Sequence, residues 1–584
     1  PQMVSGGVIG AESEYHNIPA VHPKGNWIVS CFKSEGSQRA WKIIKEENKH
    51  IMYQSYTATV EDMKYYHPIV IAGDSLWQDY KLEVRFSPES KTEQSGFIFR
   101  YRNDRCFYYL GVKENRVFIS KYNHSKSFRT LDYEILSEKI MNYNSGDLIN
   151  TVVEVKGNKI KAIINNKIEL QAEDFTFSKG RIGLMSDIPT KYFSIKVSMD
   201  KESHNNYLTV SKNHEQLIKK LRSENPKPVV WKKINISGYG APRSLRFGDL
   251  TGNGEIDILI GQVLNHGPKD RNSEVGCLTA INLEGEILWQ IGTPDPWHDR
   301  VTSDVAFQIY DIDGDGMNEV IYCKGMELII ADGATGKTKY KTKTPISESR
   351  PPYNKFPHIL GDCLFICNVR GLERPQDIII KDRYENFYVY NNKLEMLWRG
   401  KCRTGHYPFA WDYDGDGKDE IAIGYSLYDD DGTQIFSLDD TLQDHSDGVA
   451  IIKLKDDESF VVMNAASDEG LLYYDMKGNI LKHHYIGHVQ NPAIANLRDD
   501  LPGLETITVN FWGNQGIIHL LNSDMEIYND LEPFQQGSPL LPVNWTGKSE
   551  EFIILSPDPN YGGMIDGWGR SVVMFPADGH PDMC

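Results

Sequence analysis

The sequence predicts an all-β protein, a seven-bladed β-propeller preceded by a β-sandwich. Two observations carry this. The second part of the 584-residue chain repeats a unit of short apolar strands joined by acidic loops, and the first 200 residues alternate apolar and polar side chains between Gly, Asn and Asp turns. A polar stretch without strand character separates the two parts.

In the first part, YKLEVRFSP, SGFIFRYR, CFYYLGVKE, RVFISKYN, NTVVEVKGNKIKAIINNKIELQ and GRIGLMS show the period of two that half-buried antiparallel strands need. The order of these strands and the FIFRYRND…YYLGV segment resemble a concanavalin-like, laminin-G-like sandwich over about residues 25–198. The resemblance implies sugar binding or a docking role. Residues 1–200 are therefore expected to form the sandwich domain. Residues 201–228 form a linker whose LTVSKNHEQLIKKLRSE predicts a polar helix ended at Asn225-Pro226, and residues 229–584 form the catalytic propeller.

The propeller units begin near Ser244, Asp304, Leu360, Phe409, Gly448, Pro492 and Leu541, which gives seven blades. Each unit reads as inner strand, loop, second strand, hairpin and outer strand. The segment VVWKKINI at Val229–Ile236 resembles the Trp-bearing outer strands LWQIG and LWRG, so it is expected to pair with the last blade and close the ring.

Three loops share one spacing: DLTGNGEID from Asp249, DIDGDGMNE from Asp311 and DYDGDGKDE from Asp412. Oxygen ligands stand at positions 1, 3 and 5, a Gly at 6 and a carboxylate at 9. Calcium takes six to eight oxygen ligands in flexible geometry, which alternating short polar side chains closed by a later carboxylate supply. The expected ligands are Asp249, Asn253 and Asp257 in the first loop, Asp311, Asp313, Asp315 and Glu319 in the second, and Asp412, Asp414, Asp416 and Glu420 in the third. An EF-hand would instead need flanking helices and a Glu at position 12. Three structural calcium ions are expected, with Asn496 to Glu505 retaining part of the pattern.

A net charge of −18 argues against a general nucleic-acid surface, and no apolar run is long enough to span a bilayer. Eight scattered cysteines form neither a zinc pattern nor a disulfide framework. The start, PQMVSGG, is not a signal peptide. Because calcium is millimolar outside the cytosol, an extracytoplasmic monomer is expected, in the periplasm, at the cell surface or secreted.

In such a unit the calcium loop joins the first and second strands at one end, so the other end is free for function. Assigned there are His266, Lys269, Trp297, His298, Arg300, Tyr353, Lys355, His358, Lys381, Arg383, Tyr384, His406, Tyr407, His445, His488, Gln490, Trp512, Tyr561, Trp568 and Arg570. Arg and Lys bind carboxylates, aromatic faces stack on sugar rings, and His and Tyr move protons near neutral pH. An acidic polysaccharide or oligosaccharide containing a uronate is the expected partner. The expected substrate-binding residues are Arg300, Lys355, His358, Lys381, Arg383, Trp297, His488, Tyr561 and Trp568. Proton transfer is expected from His266, His298, His406, Tyr353 and Tyr407. No Asp/Glu pair stands apart from the calcium loops as an obvious glycosidase acid and base.

The calcium loops resemble FG-GAP repeats, and with the His/Tyr/Arg face the chain is similar, over roughly residues 229–584, to propeller-fold polysaccharide lyases. The preferred likeness is to the L-rhamnose-α-1,4-D-glucuronate lyases of polysaccharide lyase family 27. The resemblance implies β-elimination at a 4-linked uronate, on the rhamnose-α-1,4-glucuronate caps of arabinogalactan proteins. The alternatives are an α-L-rhamnosidase on the same linkage, a rhamnogalacturonan or ulvan lyase, and a non-catalytic carbohydrate-binding propeller. No family catalytic motif aligns here, so the site residues rest on the sorting of the two ends.

Overall fold

The computed structural model describes residues 8–9, 27–30, 39–46, 48–59, 67–126, 132–236, 238–239, 245–266, 272–295, 306–348, 355–510, 517–532, 541–556 and 562–576. Among the described residues the protein is all-β apart from one long helix, α1, at Lys201–Glu224.

Before the helix, an eight-stranded and a seven-stranded antiparallel sheet pack on one core. Tyr80–Pro88 and Ile149–Lys156 present Leu82, Val84, Phe86, Val153 and Val155 from one sheet, and Ser95–Asn103 and Cys106–Lys113 present Phe97, Phe99, Tyr108 and Leu110 from the other. Phe86, Phe97, Phe99 and Tyr108 are fully buried, and burial of each contributes about 1.5–3 kcal/mol. Helix α1 starts at Asp200, whose carboxylate accepts the Ser203 amide at 2.7 Å, and stops before Pro226, which has no amide to donate. None of its side chains is buried.

After the helix, the described residues form seven four-stranded sheets, each an antiparallel meander in sequence order. Their inner strands are Leu245–Gly248, Phe307–Tyr310, Asp362–Cys367, Phe409–Trp411, Gly448–Ile452, Val489–Ala495 and Leu541–Val543. Successive sheets share apolar cores. Leu259 and Val263 of the first sheet meet Phe307 and Tyr322 of the second, and Ile507 and Val509 of the sixth meet Ile553 and Ile565 of the seventh. Two outer-strand tryptophans fix the spacing. Trp289 Nε1 donates to Gly333 O at 2.7 Å and Trp398 Nε1 to Asp430 O at 2.8 Å, each ring lying over a glycine, Gly336 or Gly432, where a Cβ would collide.

The expected closing strand is not there. Residues 229–236 form no strand, and Val229 and Trp231 are 81% and 77% exposed. The seventh sheet draws its fourth strand from Ser571–Met574, and α1 already caps that strand: Arg222 Nε donates to Ser571 O at 2.9 Å and Asn225 Nδ2 to Val572 O at 3.2 Å. The VVWKKINI segment instead lies on the first sheet, where Ile234 and Ile236 pack with Ile258, Ile260 and Ile281, and Lys232 pairs with Glu284.

The sandwich touches the sixth of the seven sheets. Tyr101 donates to Glu532 Oε2 at 3.1 Å, Ser30 donates to Glu532 Oε1 at 3.4 Å, and Arg102 pairs with Asp530. Among the described residues no helix is long and apolar enough to cross a membrane.

Candidate active site

A four-stranded meander places its first turn at one end, its second turn at the other end, and the lead-in to the next sheet's inner strand beside that second turn. This topology separates the acidic loops from a cluster of ionisable side chains contributed by the third to sixth sheets.

The cluster begins at Asp362, the first residue of the third inner strand. Lys381, fully buried at the end of Asp377–Lys381, places its amine on Asp362, and Arg383 Nη1 donates to the same carboxylate at 3.0 Å. Two cations therefore share one anion. Beside them stands Tyr384, whose hydroxyl accepts from Arg383 Nη2 at 3.3 Å and whose ring lies 5.1 Å from that guanidinium. Tyr384 is held at a φ of 90°, an uncommon conformation for a side-chain-bearing residue; in this turn Asp382 accepts the amides of Glu385 and Asn386 at 2.9 and 2.7 Å.

His406 lies in the lead-in to the fourth sheet, its amide donating to Ser446 O at 2.9 Å. That close approach needs Gly405 at a φ of 59°, since a Cβ there would meet Ser446 O at 2.3 Å. The His406 ring packs edge-on to Tyr384, with centroids 5.8 Å apart, and 5.1 Å from His445.

Asp447, in the lead-in to the fifth sheet, is the hub. Its Oδ1 is 3.4 Å from His406 Nε2, 3.8 Å from His445 Nε2 and 3.1 Å from Gln490 Nε2. Its Oδ2 accepts from Ser467 and is 3.7 Å from His488 Nε2. Two of the rings are oriented from behind: His445 Nδ1 is 2.8 Å from Asp444 Oδ1, and His488 Nδ1 is 2.7 Å from Asp468 Oδ1. Burial pushes the Asp444 carboxyl up, but its hydrogen bonds to His445 and the charges of His445 and His488 outweigh this and hold it well below the usual carboxylate range.

Of the residues expected from sequence, Lys381, Arg383, His406 and His488 thus meet at one rim, with Tyr407 next along the chain from His406. Three others have partners outside this cluster, on or just after the first and second sheets. His266 Nε2 is 2.7 Å from Glu274 Oε1, Lys355 Nζ donates to His266 O at 3.3 Å, and His358 Nδ1 is 2.5 Å from Thr344 O. Lys269, Trp297, His298, Arg300, Tyr353, Trp512 and Tyr561 lie outside the described residues. With its neighbour Arg570, Trp568 departs from its expected place. It sits in the turn between the third and fourth strands of the seventh sheet, the end that carries the acidic loops, sandwiched by Arg498 and Arg570 at 4.6 and 4.5 Å. Sequence reasoning missed the carboxylates Asp362, Asp444, Asp447 and Asp468. Their signal was positional, since DHSD at 444–447 and SD at 467–468 fall where a lead-in and a second turn meet.

At the other end the three acidic loops share one internal wiring. The first Asp of each accepts two glycine amides: Asp249 those of Gly252 and Gly254 at 2.6 and 2.8 Å, Asp311 those of Gly314 and Gly316 at 2.8 and 3.0 Å, and Asp412 those of Gly415 and Gly417 at 2.7 and 2.9 Å. The ninth residue accepts the second residue's amide in each: Asp257 from Leu250 and Glu319 from Ile312, both at 3.0 Å, and Glu420 from Tyr413 at 3.1 Å. Asp311, Asp313 and Asp315 bring oxygens together in the second loop, as do Asp412, Asp414 and Glu420 in the third. Glu420 Oε1 is buried without a hydrogen-bond partner, and burial followed by the charges of Asp414, Asp429 and Asp412 pushes its carboxyl up to about 7, so a hard cation fits this all-oxygen donor set. In the loop of the third sheet, where that ligand pattern is lost, Arg370 Nε donates to Asp377 Oδ1 at 2.6 Å and serves as the cation.

No protein-family model matches the chain, and no curated protein matches it. Among solved structures it is similar to an exotype rhamnogalacturonan lyase, YesX, at 16% identity over 90% of this chain and 79% of that one, with a TM-score of 0.43. The rhamnogalacturonan lyase YesW matches at 16% identity over 83% of this chain and 86% of the other, with a TM-score of 0.42. The carbohydrate-binding module CBM66 from Bacillus subtilis matches at 13% identity over 30% of this chain and 96% of the module, with a TM-score of 0.24. Likenesses this distant assign neither substrate nor site residues.

Proposed function

We propose that the chain is a polysaccharide lyase that cleaves a 4-linked uronate by β-elimination, with rhamnose-α-1,4-glucuronate caps of arabinogalactan proteins as its substrate. One observation supports this above the others: two cations sharing a single carboxylate stand beside a tyrosine hydroxyl and an imidazole at one rim. β-Elimination needs a positive charge for the developing C5 enolate, a base for the C5 proton and an acid for the departing O4. In this reading Arg383 and Lys381 supply the positive field, Tyr384 or Tyr407 handles a proton, and His406 is the base that the geometry favours over His266.

The same reading takes the seven sheets as blades of a closed propeller over residues 229–584, residues 1–200 as a non-catalytic sandwich domain and residues 201–228 as the linker. Calcium in the acidic loops is structural, and the working form is an extracytoplasmic monomer.

Incubation of the purified chain with gum arabic, ulvan and rhamnogalacturonan tests it. The expected result is ultraviolet absorbance from a 4,5-unsaturated uronate with gum arabic. Absence of this chromophore with all three substrates defeats the lyase reading. Asp444, Asp447 and Asp468 at the same rim support glycoside hydrolysis as the second reading, in which reducing sugar appears without absorbance.

A further inference from the structure

We infer that His406, His445 and Asp447 form a binding site for a divalent transition metal of the zinc type, distinct from the all-oxygen loops at the other end of the sheets. The three side chains bring one ligand atom each within 4.8 Å of one another. His406 Nε2 and His445 Nε2 stand 3.4 and 3.8 Å from the same oxygen, Asp447 Oδ1. Tetrahedral ligands at about 2.0–2.1 Å from a zinc ion are roughly 3.3 Å apart, so small movements convert this spacing into coordination.

The surroundings match what such a site needs. His445 has its Nδ1 on Asp444, which fixes the tautomer that leaves a lone pair on Nε2, and it sets the ring's direction. Asp447 is anchored by Ser467 and Gln490. His488, held by Asp468, brings a third imidazole to the other oxygen of Asp447 at 3.7 Å. Charge points the same way, because Asp444, Asp447 and Asp468 gather three negative charges among imidazoles that must be neutral to ligate. A bound dication offsets most of that charge. Imidazole nitrogen selects zinc-like metals, whereas calcium and magnesium prefer oxygen, so the two ends of the sheets differ in the metal they take.

With an ion in place His406 is a ligand, and the base role passes to the tyrosine, one hydroxyl serving as base and then acid. The ligand geometry stands without the lyase reading. A chain that binds zinc and releases no unsaturated product defeats only that reading.

The test uses the full chain, stripped with a chelator, returned to excess calcium so that the acidic loops are served, and titrated with zinc by calorimetry and with cobalt by visible absorption. One equivalent of zinc is expected, with intense tetrahedral cobalt bands that oxygen-only loops do not give. His445→Ala and His406→Ala should each lose the bands. Asp444→Asn should weaken zinc binding by about 10–100-fold, the usual cost of removing a partner behind a ligating histidine. Asp414→Ala should keep the bands. Equal zinc binding by the wild type and His445→Ala overturns the assignment. If the histidine variants do not fold, the wild-type cobalt spectrum decides alone, and absence of tetrahedral bands overturns it.

Discussion

Glu319 and Glu420 close equivalent loops, yet their free oxygens meet different partners: Lys339 Nζ lies 2.8 Å from Glu319 Oε1, whereas Glu420 Oε1 is buried with none. The second loop thus carries a cation of its own, Lys339 also reaching Asp313 at 2.6 Å, and on the proposed calcium reading the third loop, whose closing carboxylate has none, depends on the ion more than the second does.

A pH dependence follows. Burial and neighbouring carboxylates raise the folded Glu420 carboxyl from 4.5 to about 7, so between these values the folded state holds more protons than the unfolded one. Stability of calcium-free protein should fall as pH rises through this window. Calcium should cancel the fall, because it takes the proton's place. Melting curves across the window with and without calcium check this, and Glu420→Gln should flatten the calcium-free profile. A profile that calcium leaves unaltered goes against a cation at Glu420.

Lys339→Met should expose the second loop's hidden need for metal. Loss of the ammonium leaves Glu319 and Asp313 uncompensated, at a cost of about 1–3 kcal/mol without calcium. Added calcium should recover most of it. Calorimetry of the variant with and without calcium measures the difference, and equal loss in both conditions would mean that the loop takes no ion.

Tyr384→Phe removes one oxygen from the rim and little packing. Turnover should fall by about 10²–10⁴-fold while melting stays near wild type. Arg383→Ala should weaken binding and rate together, since the guanidinium supports both the bound carboxylate and the charge that grows on it. Ultraviolet product formation under single-turnover conditions reads both, and wild-type turnover by Tyr384→Phe would remove tyrosine from the proton relay.

At the joint between sandwich and sheets, burial pushes Glu532 up to about 7 against the favourable charge of Arg181 and the hydrogen bonds of Tyr101 and Ser30. The sign is as for Glu420, stability being lost as pH rises from 4.5 toward 7. Calcium should not move this component. Glu532→Gln should remove it, and Tyr101→Phe should lower melting without changing turnover. Loss of turnover in Tyr101→Phe would mean that the sandwich reaches the chemistry.

Much of the strand order was legible because its causes are local. Alternation in YKLEVRFSP and the turn chemistry of DIDGDGMNE act within a few residues, and the inner strands at Leu245, Phe307, Asp362 and Phe409 begin close to the units read from sequence. VVWKKINI misled because its tryptophan copies LWQIG, while its actual partners are isoleucines of the first sheet. Sorting by ends placed Lys381, Arg383, His406 and His488 together but failed for Trp568, whose turn follows a third strand and not a second. Asp447 was invisible for a different reason: its importance comes from three histidines at 406, 445 and 488 that no local pattern connects.

The rim cluster takes Lys381 and Tyr384 from one sheet, His406 and Asp447 from the approaches to the next two, and His488 from the approach to a fourth. During synthesis, therefore, a nascent chain emerging as far as the third sheet presents only Asp362, its two cations and a phenol of this cluster. The histidines arrive later, one repeat at a time. The cluster is complete only once the sixth sheet has been made, so on the proposed reading a translation product interrupted before His488 lacks part of the site, whatever fraction of its sheets has already folded.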